Sequence, residues 1–196
     1  MTQKYAKAFI KIEAYSSQWH VKYKQLREIY RFHLAGLYQD IQHVGSTSVK
    51  GLDAKPVLDI DIIIEDETQL SEILNRLKDI GYRYLGTAGI PGRHAFAPSE
   101  ICDAFGKAAP FMAHNLYVCV QGCTALENHI HFRNYLRTHP ETMAEYSALK
   151  RQLAADAPSL DWYASKKTAF ITGVLQKCGF SSDTIDIIRA VNQEKQ

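Results

Sequence analysis

The 196-residue chain is long enough for one substantial hydrophobic core, and its 46% hydrophobic and 22% charged residues are those of an ordinary globular protein, not a disordered one. A formal charge of +2 does not supply the strongly basic face that a sequence-independent grip on nucleic acid or an anionic membrane requires, although a local basic pocket stays open. Met1 to Glu13 set Lys4, Lys7 and Lys11 among short apolar pieces without the continuous apolar core of a signal peptide, and no stretch nears the roughly 18 apolar residues that span a bilayer. The expected location is the cytoplasm, with Cys102, Cys119, Cys123 and Cys178 as reduced thiols.

In chain order, residues 15–37 place Trp19, Tyr23, Leu26, Ile29, Tyr30 and Leu37 near the 3.6-residue period and predict an amphipathic helix. Ile41 to Val44 predicts a short strand that ends in the turn Gly45-Ser46-Thr47-Ser48. Pro56 favours an extended entry to Val57–Ile64, a β-branched run interrupted only by Asp59 and Asp61. A second helix is expected over Ser71–Ile80, closed by Gly81. Strands follow at Tyr82–Leu85, Ala95–Ala97 and Asn115–Val120, the first two around the loop Gly89-Ile90-Pro91-Gly92-Arg93. The remainder predicts helices over Leu126–Thr138, Pro140–Ala154, Trp162–Cys178 and about Thr184–Asn192, with Pro140 and Pro158 as punctuation. One domain over 1–196 is expected: an α+β fold whose mixed sheet core occupies about 38–122 and is flanked by helices, with an α-rich part over about 123–196.

The chemistry concentrates between His43 and Asp61. Gly45-Ser46 is followed by twelve residues and then Asp59-Ile60-Asp61. Strand side chains alternate, so the two carboxylates share one face. Such a pair suits a hard cation, which prefers oxygen ligands and commonly bridges to substrate phosphates. A glycine lets the backbone approach a phosphate, and the N–H groups and hydroxyls of Ser46 and Thr47 can donate to it. On spacing alone, a polar turn before an amphipathic strand explains these residues equally well.

Further segments favour the chemical reading. His43-Val44-Gly45-Ser46-Thr47-Ser48-Val49, Gly51-Leu52, Ala54-Lys55-Pro56-Val57 and Asp59-Ile60 resemble the leading signature of the GrpB-like proteins in the polymerase-β nucleotidyltransferase superfamily. Gly89 to Arg93, His114-Asn115-Leu116, Phe132 to Arg137, His139-Pro140-Glu141, Tyr146 with Leu149-Lys150, and Lys167 to Ile171 resemble later family segments in family order. The resemblance implies a nucleotidyltransferase core, a Gly-Ser turn that holds nucleotide phosphates and strand aspartates that hold a divalent metal. Members that transfer nucleotides usually carry a third carboxylate on a later strand. The corresponding strand here, His114 to Cys119, has none.

The expected function is that of a metal-dependent nucleotidyltransferase-like protein, with a nucleoside triphosphate and an unknown acceptor as partners. Asp59 and Asp61 would be catalytic and would hold Mg²⁺ or Mn²⁺. Gly45, Ser46, Thr47, Lys55 and Arg93 would bind nucleotide phosphate, and His43 and His114 would orient the acceptor. Arg133 and Lys167 are further candidate phosphate cations, though solvated surface cations are the ordinary explanation. The rival is a non-catalytic nucleotide- or partner-binding module. A zinc site among His43, His114, His129, His131, His139, Cys119 and Cys123 lacks both a Cys-x-x-Cys pair and a His-Glu-x-x-His helix. Ser46 lacks the Gly-x-Ser-x-Gly elbow of a serine hydrolase.

Overall fold

The structure, a computed structural model, describes residues 10–99 and 111–192; Cys102, Lys4 and Lys7 lie outside them. Five strands form one mixed sheet: β1 (Asp40–Val44), β2 (Leu58–Ile64), β3 (Tyr82–Gly86), β4 (Arg93–Pro98) and β5 (His114–Val120), in the order β1-β2-β5-β4-β3. β2 and β5 run parallel and the other neighbours antiparallel. The α+β expectation is met. β4 starts two residues before the expected Ala95, so Arg93 belongs to the sheet and not to the preceding loop.

Alternation sorts the sheet into two faces. One carries Ile60, Ile62, Leu116, Val118 and Phe96, all buried, and packs against α1 (Gln18–His33) and α2 (Leu70–Asp79) through Leu26, Tyr30, Ile73 and Leu77. Removing one such aliphatic side chain from water contributes about 1.5–3 kcal/mol, so this face is the main core. α1 stops short of the expected Leu37: the Leu34 N–H donates to the Tyr30 carbonyl at 2.8 Å, and Gly36 then turns the chain with φ 81°.

This core seals two polar groups that sequence reasoning assigned elsewhere. The His114 Nδ1–H donates to the Met112 carbonyl at 2.8 Å, leaving Nε2 to accept from the Tyr82 hydroxyl at 2.6 Å. Tyr82 in turn accepts from Tyr30 at 2.6 Å, so the chain of bonds leaves no buried member unpaired. His43 stacks on Tyr23, ring centroids 4.6 Å apart, and its Nε2–H donates to the Thr47 hydroxyl at 3.0 Å.

The opposite face carries α3 (Thr124–Thr138), which contacts β1 and β5. α4 (Pro140–Asp156), α5 (Leu160–Lys177) and α6 (Ser182–Val191) pack on α3 and on one another. α5 and α6 start two residues earlier than their apolar periodicity suggests, because Ser159 and Ser181 accept from the N–H groups of Trp162 and Thr184 and cap them. α3 likewise starts ahead of its first large apolar residue, with Cys123 extended in front of it. Among the described residues no helix is long and apolar enough to cross a membrane.

Burial, with added repulsion from His20, Arg137 and Arg133, pushes the His43 pKa down to about 3. The unfolded chain therefore binds a proton, between about pH 6.5 and 3, that the folded chain refuses, and stability falls as pH falls through that window. Between pH 7 and pH 5 this single group contributes a loss of about 2 kcal/mol. Urea unfolding at the two pH values should show that loss shrinking in His43→Gln; an unchanged pH dependence would mean that His43 titrates normally.

Candidate functional site

The strand register builds the site. Val44 lies opposite Asp59 and Gln42 opposite Asp61 across β1 and β2. Asn115 and Tyr117 flank the same aspartates across β2 and β5. These residues share the face beneath α3, away from the main core. Arg93, in register with Cys119, reaches back over Tyr117 with its guanidinium carbon 4.8 Å from the ring centroid. The face, α3, α5 and α6 enclose a cavity of about 520 Å³, within the usual range for small-ligand sites.

Gly45 adopts φ 66° and ψ −173°, a conformation open only to glycine. A Cβ there would stand 2.0 Å from Asp59 Oδ2, so the absent side chain is what lets the turn backbone meet the carboxylate. Ser46 lines the cavity beside it. Thr47 does not: it is buried, with its hydroxyl engaged by His43 and by the Val57 carbonyl at 3.4 Å.

Asp59 Oδ1 accepts from the Asn115 amide at 2.8 Å. Burial raises the Asp59 pKa, opposed by that hydrogen bond and by the nearby charges of His129 and Lys167. Asp61 is fully buried; its Oδ2 is paired with His129 Nδ1 at 2.8 Å, while Oδ1 has no hydrogen-bond partner among the described residues. For His129, burial works to lower the pKa, but the Asp61 carboxylate, with Asp59, outweighs it and the pKa is raised. The free lone pairs are thus on hard carboxylate oxygens, Asp59 Oδ2 and Asp61 Oδ1, a donor set that fits Mg²⁺ or Mn²⁺. Among the described residues no three His, Cys, Asp or Glu side chains are grouped to hold a metal.

The cationic wall is Lys167 and Arg93, both lining the cavity. Burial lowers the Lys167 pKa to about 8 against the pull of Asp59, with Lys55 lowering it further. Lys55 stands near Lys167 but does not line the cavity. Arg133 is used otherwise: it donates to Gln42 Oε1 at 2.7 Å and to the His43 carbonyl at 2.9 Å, tying α3 to β1. His43 and His114 alternate with Val44 and Asn115 and point into the main core, so the structure does not bring them to the aspartates.

Sequence reasoning missed the role of His129. Its signal was a helical stripe: Ala125, Asn128, His129 and Phe132 lie at spacings of three, four and seven on α3 and all face the cavity. Ala164, Lys167, Thr168 and Ile171 repeat that spacing on α5. Polar residues inside an otherwise apolar stripe mark both walls.

Gly45→Ala should displace Asp59 or strain the turn, costing about 2 kcal/mol or more by chemical denaturation. Ala at Gly36, where a Cβ meets nothing within 4 Å, provides the comparison for φ strain alone. Equal losses at both positions would remove the close approach as the reason for Gly45.

Comparisons with known proteins bear on the family and the fold. "UPF0157 protein YqkA" of Bacillus subtilis (strain 168) is 32% identical over 168 residues, 85% of this chain but 46% of YqkA, so the chain spans less than half of that relative. "Glutamate-rich protein GrpB" of Alkalihalophilus pseudofirmus is 30% identical over 165 residues, covering 83% of this chain and 92% of the relative. The crystal structure of the conserved protein GrpB from Enterococcus faecalis superimposes with TM-score 0.72 at 27% identity, over 90% of this chain and 98% of that one. The GLD-2/RNP-8 complex, at TM-score 0.53 and 13% identity over 88% of this chain and 63% of that one, shares the nucleotidyltransferase-type fold. With the family model for GrpB protein matching residues 9–177, most of its length, the chain belongs to the GrpB family.

Proposed function

We propose that the cavity binds a nucleoside triphosphate with Mg²⁺ or Mn²⁺ and that the site transfers its nucleotidyl group to an acceptor of unknown identity. The observation that carries this reading is the meeting, in one cavity, of Asp59 and the Gly45-Ser46 turn with the opposed cations Lys167 and Arg93. Asp59 Oδ2 and Asp61 Oδ1 would hold the metal, which when bound neutralises phosphate charge and polarises the transferred phosphoryl group. Asn115 fixes Asp59 through its amide, and His129 does the same for Asp61. The Ser46 hydroxyl would donate to a phosphate oxygen, joined by the backbone N–H groups at the start of the turn, as a glycine turn does elsewhere. Lys167 and Arg93 would offset the remaining charge, Arg93 with a planar fork suited to two phosphate oxygens. The supporting likeness in fold and family is silent on the acceptor, and His43, His114 and Thr47 act in this reading by holding β1, the turn and the sheet in place.

One observation favours a second reading, a non-catalytic nucleotide-binding module. Asn115 and Tyr117 occupy the sheet positions beside Asp59 and Asp61, where a third carboxylate would complete a two-metal site. An amide neither adds negative charge nor takes a proton from an acceptor hydroxyl.

Thermal unfolding with each nucleoside triphosphate, with and without Mg²⁺ or Mn²⁺, tests the shared part of both readings. Saturation near a hundred times Kd stabilises by about 2.7 kcal/mol. The shift should need nucleotide and metal together, vanish in Asp59→Asn and weaken roughly tenfold in affinity in Lys167→Ala, by loss of one charge-assisted contact of about 1.5 kcal/mol. No shift at millimolar ligand would sink nucleotide binding. Where binding holds, pyrophosphate release from the triphosphate in the presence of cell-extract metabolites selects transfer, and its absence selects the binding module.

A further inference from the structure

The cavity is not polar throughout. Asp59, Ser46, Lys167 and Arg93 line it, but the helical side also carries an apolar wall. Phe132 of α3 and Ile171 of α5 pack against the cluster that holds Ile188 of α6, and all three line the cavity. Ile187 and Val191, four residues apart and so on one stripe of α6, line it too. Ile187 is 55% exposed, so a large apolar side chain of this wall is left uncovered. Ile171 stands four residues beyond Lys167 on α5, about 6 Å along the helix axis. The apolar wall therefore begins one helical turn from a cation of the polar end.

Thr168 lies between them. It is 8% exposed and lines the cavity, and its hydroxyl has no hydrogen-bond partner among the described residues. A helix offers such a hydroxyl a local acceptor, the carbonyl one turn earlier. Thr172, on the same helix, takes that option and donates to the Thr168 carbonyl at 2.9 Å. Thr168 forgoes the equivalent bond to the Ala164 carbonyl. An unpartnered buried hydroxyl lowers stability, and a polar ligand atom in the cavity would give it the missing bond.

We propose, on the reading that the polar end holds a triphosphate, that this helical end is the subsite for the nucleoside, with the base against the apolar wall and Thr168 as the hydrogen-bonding residue that selects it. A ligand whose phosphates meet Lys167 places its nucleoside within the reach of one sugar, and the wall one turn along α5 lies within that reach. A base is apolar on its faces and polar at its rim. An apolar wall carrying one hydroxyl with free donor and acceptor capacity matches that division, as small-ligand pockets generally set a few polar groups in a hydrophobic lining. α6 is thus part of the binding site through Ile187, Ile188 and Val191, and not only a cover for α5.

Isothermal titration calorimetry on the full chain, with Mg²⁺ present, compares each common ribonucleoside triphosphate with inorganic tripolyphosphate. Tripolyphosphate carries at least the charge of a nucleotide, so an advantage of the nucleotide arises from its nucleoside and not from Lys167 or Arg93. The best nucleotide should bind the parent chain at least about tenfold more tightly than tripolyphosphate, through apolar burial and one hydrogen bond. Thr168→Val should cut that advantage about fivefold and leave the affinity for tripolyphosphate unchanged. Its stability to urea without ligand should hold or rise, because a methyl replaces an unpartnered hydroxyl; a purely structural role would lower stability and spare the nucleotide. Ile187→Gln, a neutral change at an exposed position, should reduce the same advantage and decides the question should Thr168→Val unfold. Equal affinity of nucleotide and tripolyphosphate for the parent chain, or the parental advantage retained in Thr168→Val, would overturn the nucleoside subsite and leave the phosphate site standing. Binding of neither ligand would remove the phosphate site and the subsite together.

Discussion

The structure is organised around two carboxylates that the strand register forces beneath a helical layer. Leu58 to Ile64 must turn its even-numbered aliphatic residues toward α1 and α2 to form the main core, and alternation then places Asp59 and Asp61 under α3. Burying an uncompensated carboxylate costs several kcal/mol, so every neighbour on that side is constrained. Asn115 donates to one aspartate, His129 is paired with the other, and Lys167 stands within electrostatic reach of Asp59. Gly45 completes the arrangement by bringing backbone where any side chain would collide with the carboxylate. A one-residue slip of β2 would put the aspartates into the hydrocarbon core, so the same pattern that fixes the fold fixes the site.

Much of this was legible in the sequence, and the reasons differ between elements. β2 was readable because a β-branched run interrupted by aspartates at spacing two has one reasonable conformation. Helices were found from their periodicity, and α4 starts at the expected Pro140, but the starts of α5 and α6 were misplaced by two residues because a capping serine precedes the first apolar residue. The Gly45 turn and the Asp59-Asp61 pair came from spacing supported by family resemblance, and the structure places Gly45 against Asp59. Which face a residue occupies was harder. His43 and His114 sit one position from Val44 and Asn115 in sequence, yet one position reverses the face, and both imidazoles end in the core. His129 lies 68 residues beyond Asp61, and nothing local ties the two; that contact follows only from the packing of α3 on the sheet.

The two faces handle their polar groups by opposite means. In the main core, the Tyr30–Tyr82–His114–Met112 chain satisfies each donor with an acceptor, so the network is closed and serves to fix the packing of α1 against β3 and β5. Under α3, by contrast, Asp61 Oδ1 is buried without a hydrogen-bond partner among the described residues, and the cavity that Asp59 lines carries Lys167, Arg93 and the amides of Asn115 and Asn128. A closed network gives rigidity, whereas an open one leaves binding capacity in reserve.

The balance of charge in the cavity bears on what that completion is. Asp59 and Asp61 face His129, Lys167 and Arg93, so the protein carries cations enough to hold its carboxylates without a metal when the site is empty of ligand. A lone divalent ion would meet repulsion from these neighbours as well as attraction from the carboxylates. In the proposed reading a nucleoside triphosphate arriving with its cation would change the sum, its phosphates engaging Lys167 and Arg93 while the metal engages Asp59 and Asp61. On that reading the walls would favour joint binding of anion and metal over either alone. That coupling would follow from Asp59 sharing one cavity with Lys167 and Arg93, with Asp61 held behind it by His129, and it is available to a transferase and to a binding module alike.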